Sequence, residues 1–156
     1  VAHLAPKFLT VHCSGGSAMV KAAVDALPNT KVTGVTILTS LSETDVAEVG
    51  FKSTALESAT ALAKVAVTGG AKAIVCSPLE ISAVRKAIGF TPLIITPGVR
   101  PLEMAGTDDQ QRTMTPQDEI IAGANYVVIG RPITQSWAHG AMAMKEKAHE
   151  IGSLLI

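Results

Sequence analysis

The feature that most constrains this chain is an alternation sustained from end to end. Short runs rich in Val, Ile and Leu recur at residues 7–12, 31–38, 71–76, 91–96 and 125–129, and each is followed by a stretch with helical periodicity. Residues 17–27 put Met19, Val20, Ala23, Val24 and Leu27 on one helical face. A short helical piece within 41–51 precedes a longer helix over 53–67 with small residues on its inner face, and helices are predicted again over 78–88 and 116–122. The end of the chain, 133–156, reads as helical with a break near Trp137 to Gly140. Pro28-Asn29-Thr30 and Thr68-Gly69-Gly70 supply stops. Strand and helix alternating without a linker or a shift in composition means βα units, a parallel sheet and one domain over 1–156. Aromatic residues make up only 3% of a chain that is 47% hydrophobic, so the core is aliphatic, as suits strands buried on both faces. The pattern gives about five βα units, whereas a closed (β/α)8 barrel needs eight and typically ~250 residues. Periodicity leaves two solutions open: an open doubly wound sheet or an incomplete barrel.

Several function classes are set aside by charge and hydropathy. Formal net charge is zero and no basic block occurs, which argues against nucleic acid. The apolar stretches are interrupted too soon to span a bilayer, and no signal segment opens the chain. Cys13 and Cys76 each close an apolar run and read as buried free thiols of a reducing compartment. His3, His139 and His149 are too scattered to form a metal set, and Gly15-Gly16 lacks the spacing of a dinucleotide loop. His12, at the end of the first run, reads as a backbone-bonded strand-end histidine before it reads as an acid or base.

The candidate chemistry lies within residues 94–131. Two strand-like runs there end in a glycine and an arginine: Thr96-Pro97-Gly98-Val99-Arg100 and Ile129-Gly130-Arg131-Pro132. In parallel α/β proteins ligands bind at the carboxyl ends of the strands. Guanidiniums beside glycine backbone N–H groups, with a short helix opening at Arg131, suit a phosphate dianion. The plainer alternative is a pair of surface arginines facing carboxylates. Gln110 lies in the long polar loop between these runs and carries both a donor and an acceptor. Thr39 and Ser40 follow the second run, where hydroxyls face the ligand side of such a sheet unless they cap a turn.

Taken together, these segments resemble a known family. Thr96-Pro97-Gly98-Val99-Arg100, Asp109-Gln110-Gln111-Arg112, Thr115-Pro116 and Val128-Ile129-Gly130-Arg131-Pro132-Ile133-Thr134 resemble orotidine 5′-phosphate decarboxylases. So do, in the same order, Val11-His12 with Ser14-Gly15-Gly16, the stretch from Val35 to Ser40, and Ile74-Val75-Cys76-Ser77. The resemblance covers essentially the whole chain. It implies a (β/α)8 TIM barrel, a homodimer in the cytoplasm, and conversion of orotidine 5′-phosphate to uridine 5′-phosphate without metal or organic cofactor. It further implies substrate-binding roles for Thr39, Pro97, Arg100, Gln110, Gly130 and Arg131. In that scheme Arg131 and the Gly130 N–H hold the phosphate, with Arg100 near it. Gln110 reaches phosphate and base, and Thr39, beside Ser40, meets the pyrimidine edge.

The departure from the family pattern is as informative. The Asp-x-Lys-x-x-Asp motif, whose Lys is expected to stabilise and then protonate the ring carbanion, does not occur in these residues. Nor do the first-strand Asp and second-strand Lys that contact the ribose. The motif order places Val1 in the helix after the third barrel strand, so the chain is expected to supply strands four to eight, with one to three absent. No catalytic residue is therefore expected here, and the chain alone is expected to be inactive. Its partner would be the missing amino-terminal part of the barrel, since two open sheet edges invite pairing or aggregation. A sugar-phosphate decarboxylase of the same superfamily and a catalytically inert fragment are the competing readings.

Overall fold

A computed structural model describes residues 1–97 and 114–155. Its five strands are β1 (Phe8–His12), β2 (Lys31–Val35), β3 (Ala73–Val75), β4 (Leu93–Pro97) and β5 (Tyr126–Val128), and they form one sheet in the order β1-β2-β3-β4-β5. Every neighbouring pair is parallel. The helices are α1 (Gly16–Ala26), α2 (Glu43–Glu48), α3 (Ala55–Thr68), α4 (Ile81–Ile88), α5 (Pro116–Ala122), α6 (Arg131–Thr134) and α7 (Ala141–Ser153). The expected strands are present but shorter. β2 ends at Val35 as a regular strand, although the Thr36 N–H and hydroxyl both still donate to Val75 O, at 3.1 and 2.9 Å. The helix expected over 78–88 divides into a 3-10 turn, Pro78–Glu80, and α4. Ahead of β1 there is only an exposed 3-10 turn, Ala2–Leu4.

Strand order decides what periodicity left open. A doubly wound sheet reverses its strand order at a switch point. Here each strand adds to the same side as the one before, and right-handed crossovers then stack the helices on one face. That is the winding of a barrel wall. Register fixes which side chains share a face: Phe8 pairs with Lys31, Thr33 with Ala73, Ala73 with Leu93, and Ile95 with Tyr126. By strand alternation Phe8 and Tyr126 therefore point to the same side, the side away from the helices. Although three strands separate them, their rings meet edge to face with centroids 5.5 Å apart. The sheet is thus strongly curled, with its concave side closing at the amino ends of the strands.

The core fills the convex side. Val32, Ile74 and Ile94 from the sheet, with Cys76 just beyond β3, pack with Val20, Ala63, Ala66, Ile81 and Val84 from the helices. The small inner face expected for α3 is present: Ala55, Ser58, Ala59, Ala63 and Ala66 are buried. Gly34 is what lets α3 lie that close. A Cβ at Gly34 would sit 2.6 Å from Ala66 Cβ and 2.7 Å from Cys13 Sγ. Ser42 and Thr54 start α2 and α3 with capping boxes closed by Asp45 and Glu57.

Candidate functional site

The carboxyl ends of all five strands lie at one end of the curl, and that end carries those of the residues singled out from the sequence that are described. Pro97 closes β4 and pairs in register with Val128 of β5. Gly130 follows two residues later; it is exposed, and its carbonyl accepts from the N–H groups of Ile133 (2.9 Å) and Thr134 (3.0 Å), starting α6. Its own N–H has no acceptor among the described residues. Arg131, the first residue of α6, is exposed and has an interaction partner of its own. Pro97 and the Gly130-Arg131 pair are thus brought together on adjacent strand ends. Thr39 lies two strands away, in a turn beyond β2, buried and with a bonding partner, while Ser40 beside it is exposed. Arg100 and Gln110 fall outside the described residues, so their expected places beside Gly130 are not part of this geometry. His12 is exposed at the end of β1.

Both cysteines are free and buried. Burial pushes the Cys13 thiol up to about 11 and raises that of Cys76 further, with the Glu80 carboxylate adding to the latter, so neither is a nucleophile at neutral pH. Among the described residues no group of three or more His, Cys, Asp or Glu could hold a metal ion. No described helix is long and apolar enough to cross a membrane.

Two groups behind the strand ends escaped the sequence reading. Arg85, on α4, is buried and spends its guanidinium on oxygen acceptors. Nε and Nη2 donate to Gly123 O at 3.1 and 2.8 Å, Nη1 to Pro92 O at 2.6 Å, and Nη2 to Asn125 Oδ1 at 2.5 Å. Asn125 Oδ1 also accepts from Ile94 N at 2.8 Å, so this arginine organises the amino ends of β4 and β5. Glu119, on α5, is fully buried, and one carboxyl oxygen bonds to the Thr96 hydroxyl on β4. Burial raises its carboxyl to about 7, against the pull of the Thr96 bond. Hydrophobic patterning points the wrong way here: α5 turns Glu119 inward while Ile121 stands 84% exposed. The available signal was the Thr115-Pro116 helix start, which fixes the phase of α5 and puts Pro116 and Glu119 on one inward face.

Comparison with known proteins assigns the architecture. The description "Orotidine 5′-phosphate decarboxylase / HUMPS family" matches residues 1–145. The chain belongs to this family. It is 50% identical over 143 residues to an orotidine 5′-phosphate decarboxylase of Thermobifida fusca, covering 92% of this chain and 61% of that protein. One from Gluconobacter oxydans is 37% identical, with 98% and 67% covered. The crystal structure of orotidine 5′-phosphate decarboxylase from Lactobacillus acidophilus superposes with a TM-score of 0.80 at 34% identity, over 99% of this chain and 65% of that one. The family's barrel is therefore the fold to which this five-stranded wall belongs. The chain spans 61% of the length of the Thermobifida relative, so what it matches is a part of that protein.

Proposed function

We propose that this chain supplies the phosphate- and pyrimidine-binding portion of an orotidine 5′-phosphate decarboxylase, with β1–β5 serving as the fourth to eighth strands of its barrel. The observation that carries the reading is the Gly130-Arg131 pair at the carboxyl end of β5: an exposed arginine beside a backbone N–H without a partner among the described residues. A guanidinium and a free amide held by one strand end match the shape and charge of a phosphate. The names borne by the relatives supply the substrate class, orotidine 5′-phosphate. In this reading Arg131 and Gly130 bind the phosphate, Pro97 shapes the neighbouring wall, and Thr39 meets the pyrimidine. Arg100 and Gln110 are assigned to the substrate by resemblance alone.

The division of labour follows from chemistry. Decarboxylation leaves a carbanion, which needs a nearby ammonium to stabilise and protonate it. The 156 residues contain no Asp-x-Lys-x-x-Asp motif to provide one. This chain then contributes binding energy remote from the reacting carbon, which organises the site without doing the proton transfer. By itself it binds and does not turn over. Strands one to three come from elsewhere in the complete enzyme, a cytoplasmic homodimer that uses no metal or organic cofactor.

Calorimetric titration with uridine 5′-phosphate and with ribose 5-phosphate tests the reading. The nucleotide is expected to bind more tightly, and Arg131→Ala to weaken it roughly 100-fold, about 3 kcal/mol, in line with loss of a charge-assisted pair. Equal affinity for both ligands would favour a sugar-phosphate enzyme of the same superfamily. An unchanged Kd in Arg131→Ala would reject the phosphate role.

A further inference from the structure

The Thr96 hydroxyl has too many acceptors for its single proton. On one side stands Glu119 Oε2, on the other the carbonyl oxygen of Tyr126 at 3.4 Å. A hydroxyl donates one hydrogen bond and can accept others. Both contacts are satisfied together if Glu119 carries a proton and donates it to Thr96, whose own proton then goes to Tyr126 O. The surroundings support the protonated form. Glu119 has no solvent exposure, and its second oxygen, Oε1, has no partner among the described residues. A bare carbonyl oxygen is tolerable in such a place, whereas a bare carboxylate oxygen is costly. Among the described residues, no ionisable group on the neighbouring elements is paired with Glu119. Arg85 directs its donors to Gly123, Gly89, Pro92 and Asn125; Glu80 is itself an acid and accepts from Ser77 N; Cys76 is a thiol. On α5 itself Asp118 is another acid, bonded to Thr115.

We infer that Glu119 is a positioning residue held in its protonated form, and that the relay from its O–H through Thr96 to the Tyr126 carbonyl clamps the carboxyl half of β4 to β5 and to α5. The relay joins three elements whose residues are 23 and 30 positions apart in sequence. One residue beyond Thr96 is Pro97, and four beyond Tyr126 is Gly130. The clamp therefore sets the spacing of the two strand ends that carry the candidate phosphate site. That consequence rests on the proposed function, whereas the proton relay does not. The raised carboxyl described above agrees with the relay. Ionising Glu119 would turn the Thr96 proton toward the carboxylate and leave the Tyr126 carbonyl without it, loosening the strand pair.

The experiment has two arms. In the first, the side-chain carboxyl of Glu119 in the free chain is followed by carbon NMR against pH. A titration midpoint at or above pH 6, moving together with the Tyr126 carbonyl shift, is expected. A midpoint near that of an ordinary carboxyl, or a Tyr126 shift that ignores it, overturns the clamp whatever the chain binds. In the second, uridine 5′-phosphate is titrated at pH 6 and pH 8 into the wild type and Glu119→Gln, whose amide N–H can donate permanently to Thr96. The wild type is expected to lose about tenfold more affinity than Glu119→Gln between the two pH values. Equal losses overturn the positional role. If the wild type binds no nucleotide at either pH, the proposed function fails while the first arm still decides the relay.

Discussion

The two ends of the β4–β5 pair are held by opposite kinds of chemistry. At the amino ends Arg85 gives hydrogen bonds to three backbone carbonyls and to Asn125 Oδ1, with a charge that no accessible pH removes. Toward the carboxyl end of β4, Glu119 and Thr96 do a similar job with a proton that burial holds up to about pH 7. The tie at the amino ends is thus fixed in charge, whereas the one made by Thr96 responds to pH. Barrels of this kind separate stability at one face from chemistry at the other, and here the separation extends to the groups that tie the strands together.

The contrast can be broken most severely at Arg85. Arg85→Ala leaves the Gly123 and Pro92 carbonyls and Asn125 without their donor in a buried site. A loss of roughly 3–4 kcal/mol is expected, since each hydrogen bond to a charged group is worth about 1.5–3 kcal/mol. Urea unfolding should show the same loss at pH 5 and pH 8. A loss that varied with pH would blur the distinction between the two ends.

The next effect is in the wild type itself. The folded value for Glu119, about 7, lies above the ordinary 4.5. The folded state therefore holds this proton more tightly than the unfolded one. The resulting stability is complete below about pH 4.5, declines as pH rises, and is gone above about pH 7, a total of roughly 3 kcal/mol by linkage. Urea midpoints taken from pH 4.5 to 8, as a difference from Glu119→Gln, isolate this contribution. A flat difference would mean that the carboxyl is ordinary. Asp45 does not interfere, because its hydrogen bonds with Ser42 hold it below its usual 3.8, outside this window.

Glu119→Gln should be milder still, costing less than about 1 kcal/mol at pH 5, because the amide keeps the shape and a donor toward Thr96. A loss of several kcal/mol there would mean that Glu119 accepts from Thr96 as a carboxylate, a role the amide N–H groups cannot fill. The smallest expected change in stability is at Arg131, an exposed residue whose replacement by Ala should shift unfolding by no more than about 0.5 kcal/mol while binding falls. Thermal unfolding and calorimetry on the same preparation separate the two. A large loss of stability would mean that Arg131 belongs to the scaffold.

Much of the molecule was legible in the residues alone. The alternation of β-branched runs with helical periods gave the parallel α/β class, and each expected strand exists within a few residues of its place. Met19, Val20, Ala23 and Val24 do face the core from α1. Gly130 and Arg131 stand at a strand end because a run of Val and Ile must stop where Gly and Pro enter. Of the candidate site, the structure places Thr39, Pro97, Gly130 and Arg131 at or beyond the carboxyl ends of their strands, whereas Arg100 and Gln110 lie outside the described residues.

Periodicity is a property of neighbours along the chain, so the sequence determined the elements, their order and the family they resemble. It did not determine that the sheet keeps one winding direction and curls until Phe8 touches Tyr126, because those contacts join residues far apart in the chain. Nor did it determine that α5 would bury an acid and expose Ile121. Only the tertiary structure brings Glu119 and the Tyr126 carbonyl to the Thr96 hydroxyl, and a buried carboxyl is tolerable only where it finds a hydrogen-bond partner.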